Sequence, residues 1–206
     1  MPCAALVVLI AHGLAAQPLP GPEAINVLTD AEERAGWRLL FDGETLSGWT
    51  LRGDAAWQVE DGAITAGPAS ARGFLATTEE FENFELQVDF WINEEANSGV
   101  FLRCPATGLI DQKTAVEVNI SDSHRIWPTG SINEVARVQE RISTVGRWNR
   151  YRIVAAGSTL RVVLNGRTTV DTEDRRHVRG PIAFQSCCND RSQVKFRNVK
   201  IRVRAG

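Results

Sequence analysis

Residues 84 to 90 read FELQVDF, with Phe84, Leu86, Val88 and Phe90 alternating against Glu85, Gln87 and Asp89. A period of two sends successive side chains to opposite faces of an extended chain, so this segment predicts a strand with one buried face. The same alternation recurs in SGVFLR (98–103), AVEVNIS (115–121), YRIV (151–154), LRVVL (160–164) and VKFRNVKIRV (194–203). In the last of these the phase slips at Asn198, which predicts a β-bulge. Asp61-Gly62, between WQVE and AIT, and Asn165-Gly166, between LRVVL and RTTV, tolerate positive φ and predict tight hairpins.

Helical periodicity is confined to LTDAEERAGW (28–37), where Thr29 or Asp30 can cap a short helix. About ten to twelve short strands at turn-punctuated spacing point to a β-sandwich or barrel. No repeat of fixed period is visible, which disfavours propellers and solenoids. A length of 206 residues suits one domain, read here as 36–204. The chain carries 23 Lys+Arg against 25 Asp+Glu, so it lacks the basic excess of a nucleic-acid-binding domain.

CAALVVLIAHGLAA (3–16) is a short apolar run ending in small residues and followed by QPLPGPEA. It reads as a signal peptide (1–16) cut after Ala15 or Ala16, although no Lys or Arg precedes it; an uncleaved apolar anchor is the alternative. Residues 17–35 then form a linker with the possible short helix. No other segment approaches the ~20 apolar residues of a membrane helix, so the mature protein is expected to be secreted or periplasmic, without a membrane span. Nothing in the sequence speaks to oligomeric state. With Cys3 removed, Cys104, Cys187 and Cys188 remain, allowing one bridge from Cys104 to either neighbour, or a free buried thiol. No CxxC pair occurs, His12, His124 and His177 are scattered, and the acids form no calcium-loop pattern, so no metal ligand set is assigned.

Several polar residues can carry chemistry. On the strand at 116–121, Glu117, Asn119 and Ser121 share one face, which is either a sugar-binding face or simply a solvated one. Arg103 offers a planar five-donor group for hydroxyls, a keto oxygen or a carboxylate; a structural pairing with Glu117 or a neighbouring acid is the plainer reading. His124 sits in a loop as a general base or as an exposed side chain. Asn97-Ser98-Gly99 is a turn signal as much as a ligand loop. Trp91 falls on the polar phase of its strand and Trp127 lies in a loop before Pro128; each is a sugar platform or an edge-packing residue.

The order of phrases is more specific than any one of them. GWRLLFDGETLSGWT (36–50), WQVEDGAIT (57–65), ANSGVFLR (96–103), VEVNISD (116–122), GRWNRYRI (146–153), LNGRTTVD (164–171), GPIAFQ (180–185) and VKFRNVKIR (194–202) follow one another. This succession resembles the 3-keto-disaccharide hydrolase family, formerly a domain of unknown function, over essentially all of 36–204. The chain departs from the family pattern at Ala115-Val116, where an aromatic is usual, at Asn119 and Ser121, and at SCCND (186–190), where a His-Gly pair is usual.

The resemblance implies an all-β, concanavalin A-like jelly-roll sandwich of one domain, acting on sugars oxidised at C3 in a secreted bacterial system. A 3-keto group acidifies the C2 hydrogen, so the C1 glycosidic bond can leave by elimination and hydration completes a net hydrolysis. The expected catalytic residues are Glu117 as acid-base, Arg103 as partner of the enolate or keto oxygen, and His124 in reserve. Asn97, Ser98, Asn119, Trp127 and Gln185 are the expected sugar contacts. A divalent cation is an alternative holder of the oxyanion. Two further readings are a non-catalytic carbohydrate-binding module and a structural or adhesive domain, because a sandwich fold alone predicts no function.

Overall fold

A computed structural model describes residues 24–67, 72–187 and 190–204. The proposed signal segment 1–16 and residues 17–23 lie outside the described residues. One short helix comes first, α1 (Asp30–Arg34). The strands are β1 (Arg38–Leu39), β2 (Trp49–Gly53), β3 (Trp57–Glu60), β4 (Ala63–Ala66), β5 (Gly73–Thr77), β6 (Phe84–Ile92) and β7 (Ser98–Leu102). They continue with β8 (Val116–Ile120), β9 (Trp148–Ala156), β10 (Thr159–Leu164), β11 (Arg167–Glu173), β12 (Ala183–Ser186) and β13 (Val194–Val203). Every strand pairing is antiparallel, and two sheets result. One has eight strands in the order β11-β10-β9-β6-β13-β4-β3 with β1 beside β13; the other has five, β2-β5-β12-β7-β8.

The alternation predicted from sequence decides what fills the space between the sheets. Phe84, Leu86, Val88 and Phe90 of β6 meet Val100 and Leu102 of β7, Val116, Val118 and Ile120 of β8, and Phe184 of β12, all buried in one cluster. The Phe184 and Phe196 rings stack across the sandwich at 4.1 Å between centroids and 11° between planes. Each such ring contributes about 1.5–3 kcal/mol by leaving water. Both hairpins form as expected, with positive φ at Asp61, Gly62, Asn165 and Gly166. The bulge appears where the phase slips: the β6–β13 register shifts between Arg197 and Lys200, and Asn198 takes φ 52°.

The bulge has a partner. Asn198 accepts from the Asn26 amide at 2.6 Å, and Asn26 Oδ1 accepts from the Asn198 amide at 2.8 Å. The helix begins at Thr29, whose hydroxyl and Glu32 form a reciprocal capping box, and Glu32 then accepts from Lys200 Nζ at 2.9 Å. Residues 24–35 are therefore docked on the eight-stranded sheet rather than forming a loose linker.

The outer face of the five-stranded sheet differs from a plain solvated face. Segment 103–115 folds over it, and Phe74, Ala76, Phe101, Cys104, Ile110, Ala115 and Ala183 form a second buried cluster there. Cys104 is free and its thiol is pushed up to about 12 by burial. Cys187 is disulfide-bonded. Of the two alternatives left open by the sequence, the free buried thiol is the one found: Cys104 is sealed in this small apolar cluster.

Candidate functional site

The register of the five-stranded sheet lays two rows across its outer face. One runs Phe74, Gln185, Gly99, Asn119; the other runs Ala76, Ala183, Phe101, Glu117. The chain at 128–136 extends the sheet beyond β8. The Asn119 amide donates to Ser131 O at 2.9 Å, the Asn133 amide donates to Glu117 O at 3.0 Å, and Ile132 bridges Val118. By alternation about Ile132, Ser131 and Asn133 join the same outer face as Glu117 and Asn119.

Glu117 is the chemical centre of this face. It is 2% exposed, and its Oε2 accepts from Gln112 Nε2 at 2.5 Å and Asn133 Nδ2 at 2.7 Å. Oε1 accepts from none of the described residues. Burial raises its pKa to about 7, only partly opposed by the two amide donors and the charge of Arg72, and reinforced by Glu134. A carboxyl poised there exchanges protons in both directions at neutral pH. Gly99 makes the space it occupies: a Cβ on residue 99 would lie 2.8 Å from Oε1 and 3.0 Å from Cγ of Glu117. On the other side of Gly99 lies Gln185, 2% exposed, with its side-chain amide bonded to no described residue. A free carboxyl oxygen and a free amide thus flank a strip of bare backbone.

The other expected residues divide. Asn119 belongs to the face, and its Nδ2 donates to the carbonyl of Trp127 while its own carbonyl accepts from Tyr151 Oη at 2.6 Å. Trp127, half-buried, donates its amide to His124 Nδ1 at 2.9 Å, which ties His124 into the 121–147 loop. That loop is organised by Asp122, whose carboxylate accepts from Thr129 Oγ1, Thr144 Oγ1 and the Thr144 amide at 2.6–2.7 Å. Ser98 lies opposite Ile120, facing inward, and its hydroxyl donates to Gln185 O at 2.6 Å. Asn97 ties the start of β7 to Cys187 and Ser192 through its backbone.

Arg103 is not the partner of Glu117 in either expected sense. It takes φ 54° just after β7, which swings its side chain out of the row. Its guanidinium donates to Glu82 O at 2.7 and 3.0 Å, and to Gly157 O and His177 O at 2.9 Å. These are neutral backbone acceptors on three separate loops, so Arg103 is a buried clamp. The solvated-face reading of Glu117, Asn119 and Ser121 also falls, since all three are buried. Gln112 and Asn133 lie in loops with no sequence pattern to mark them. Gly99 did carry a signal, since a glycine inside an alternating strand flags close approach by another group. Among the described residues no three His, Cys, Asp or Glu side chains gather to hold a metal ion.

Residues 36–202 match the model of the 3-keto-alpha-glucoside-1,2-lyase-like domain. The chain is 21% identical over 170 residues to the 3-keto-disaccharide hydrolase of Bacteroides thetaiotaomicron, covering 67% of this chain and 58% of that protein. It therefore spans little more than half the length of that relative. A candidate glycosyl hydrolase from Parabacteroides distasonis superimposes with a TM-score of 0.77 at 24% identity, over 88% of this chain and all of that one. A carbohydrate-binding module from Bacillus subtilis shares the fold at a TM-score of 0.57 and 19% identity, over 74% of this chain and 94% of the module. On the span of the family match, this chain belongs to the 3-keto-alpha-glucoside-1,2-lyase-like domain family.

Proposed function

We propose that this domain cleaves the glycosidic bond of 3-keto-glucosides or 3-keto-disaccharides, with Glu117 as the acid-base residue. The observation that carries the reading is one buried carboxyl, held near neutrality, with a free oxygen over Gly99. As carboxylate, Glu117 removes the C2 hydrogen, and the electron pair passes to the C3 oxygen as an enolate. Return of that pair expels the C1 substituent, which takes a proton to leave as an alcohol, and forms the C1–C2 double bond. Water then adds across it, hydroxyl to C1 and hydrogen to C2, giving a net hydrolysis. With Arg103 committed elsewhere, the Gln185 amide, opposite Gly99 on the neighbouring strand, takes the role of holding the C3 oxygen.

Turnover of a 3-keto-glucoside tests the assignment. Glu117→Gln should lower it by ~10²- to 10⁴-fold, the usual cost of losing a positioned general base. A variant within a few-fold of wild type would move the chemistry away from Glu117. A second reading, sugar binding without turnover, is favoured by the likeness of fold to the carbohydrate-binding module; it predicts saccharide affinity and no product. The apolar run at 3–16 supports export, and a mature N-terminus beginning between Ala16 and Ile25 in a secreting host would agree with it.

A further inference from the structure

The eight-stranded sheet carries a groove of its own on the side of the sandwich away from Glu117. Trp148 of β9 sits between two cavities, one of about 300 Å³ beside Asp89 and Asn165, the other of about 330 Å³ beside Trp91 of β6. The second is also bounded by Glu60, Asp61, Gln193, Lys195 and Arg197. Trp91 and Trp148 face one another across the β6–β9 pairing, and Lys195 lies opposite Trp91 on β13. The groove therefore crosses three strands, about 10 Å at ordinary strand spacing, which matches two pyranose rings.

We propose that this groove binds a neutral oligosaccharide chain, with Trp91 as the stacking platform. One face of Trp148 is closed by the Arg197 guanidinium at 4.0 Å, making a rigid wall. The Lys195 ammonium stands 6.0 Å from the centre of the Trp91 ring, at the outer limit of a cation–π contact, and leaves that ring available. Around it, the side chains of Glu60, Asp61, Gln193 and Lys195 make no hydrogen bond or ion pair with any described residue. Arg197 Nε is buried without a partner.

Carboxylates and cations that share one cavity without closing on each other select a ligand by elimination. An anion meets Glu60 and Asp61, a cation meets Lys195 and Arg197, and an apolar molecule strands all of them. A sugar ring satisfies the set: its C–H face covers the indole, and its hydroxyls both donate and accept. The groove and Glu117 lie on opposite outer faces, so the proposal does not depend on the catalytic reading. It gives the domain a means of staying attached to a polysaccharide while its other face works.

Calorimetric titration of the wild type with cellohexaose, xylohexaose and maltohexaose tests this. Binding of at least one is expected, weakened about tenfold or more in Trp91→Ala, the scale of losing a central aromatic anchor. Glu117→Gln should bind as the wild type does, and Trp91→Ala should turn over a 3-keto-glucoside normally. If Trp91→Ala fails to fold, a Gln193→Ala, Lys195→Ala double variant with an unchanged melting curve replaces it, and the same weakening is expected. No binding of any of the three probes, binding untouched by these variants, or binding lost in Glu117→Gln would each overturn the proposal.

Discussion

Glu85 and Glu117 occupy equivalent positions on opposite sides of the sandwich. Each stands at an outward phase of an alternating strand, and they are 1% and 2% exposed. Their protons behave in opposite ways. Burial pushes against ionisation at Glu85 too, but the Arg152 and Arg202 guanidinia on the neighbouring strands outweigh it and hold the carboxyl below the usual range. Around Glu117 the partners are the neutral amides of Gln112 and Asn133, burial wins, and the pKa rises to about 7. Burial alone does not make an acid-base residue. The difference lies in whether a full positive charge or only a dipole meets the buried oxygen.

The sharpest way to break this contrast, after the loss of Glu117 itself, is to move its carboxyl. Gly99→Ala places a Cβ 2.8 Å from Oε1, and the clash is with the end of a side chain rather than with backbone. The carboxyl should swing aside while the fold persists. Turnover of a 3-keto-glucoside should drop by ~10²-fold for a misplacement of about 1 Å, with little change in melting temperature. Arg103→Met should do the reverse. Stripping donors from the carbonyls of Glu82, Gly157 and His177 should cost about 3 kcal/mol or more in chemical denaturation, while turnover per folded molecule stays unchanged.

The two carboxyls also give stability opposite dependences on pH. The folded chain keeps the Glu117 proton up to about pH 7, whereas the unfolded chain releases it near the ordinary glutamate value of 4.5. Between those values the folded state binds more protons, so stability falls as pH rises, by on the order of 3 kcal/mol, and levels off above pH 7. Glu85 acts with the opposite sign: its contribution is complete above the unfolded value and is lost as pH falls through its depressed folded value. Denaturation curves from pH 2 to pH 8 should lose the decline between pH 4.5 and pH 7 in Glu117→Gln and the decline below pH 4.5 in Glu85→Gln. The smallest effect is that of Glu85→Gln at pH 7, about 1–2 kcal/mol. Arg152 and Arg202 reach solvent and rehydrate when the carboxylate is gone, which keeps the cost below that of breaking a fully buried pair.

Alternation and the Asp-Gly and Asn-Gly turns were enough to place β3, β4, β6–β11 and β13, both hairpins and the bulge at Asn198, because those signals are local; the short β1, β2, β5 and β12 were not singled out by them. The outward phase of Glu117 and Asn119 was equally local and equally legible. What lies above that face was not. Segment 103–115 has no periodicity, yet it covers Phe101 and delivers Gln112 to Glu117 across five residues of sequence. Asn133 arrives through a β-like extension that no strand pattern announces. Arg103 misled for a related reason. Its strand phase put it beside Glu117, but a positive φ at the strand's end redirected it, and an end effect of that kind is invisible to alternation. The same limit hid the docking of Asn26 on Asn198, a contact between residues 172 apart in the chain.

In the proposed mechanism Glu117 moves the C2 hydrogen of a 3-keto-sugar. Turnover of a 3-keto-glucoside in deuterium oxide, with product examined by NMR against an enzyme-free sample, tests it most directly. Elimination followed by hydration must deliver a solvent hydrogen to C2. One deuterium at C2 in the product is expected, at a rate matching bond cleavage, with neither cleavage nor enzyme-dependent exchange in Glu117→Gln. Cleavage that leaves the original hydrogen at C2, or deuterium incorporation that Glu117→Gln catalyses as fast as the wild type, would contradict it.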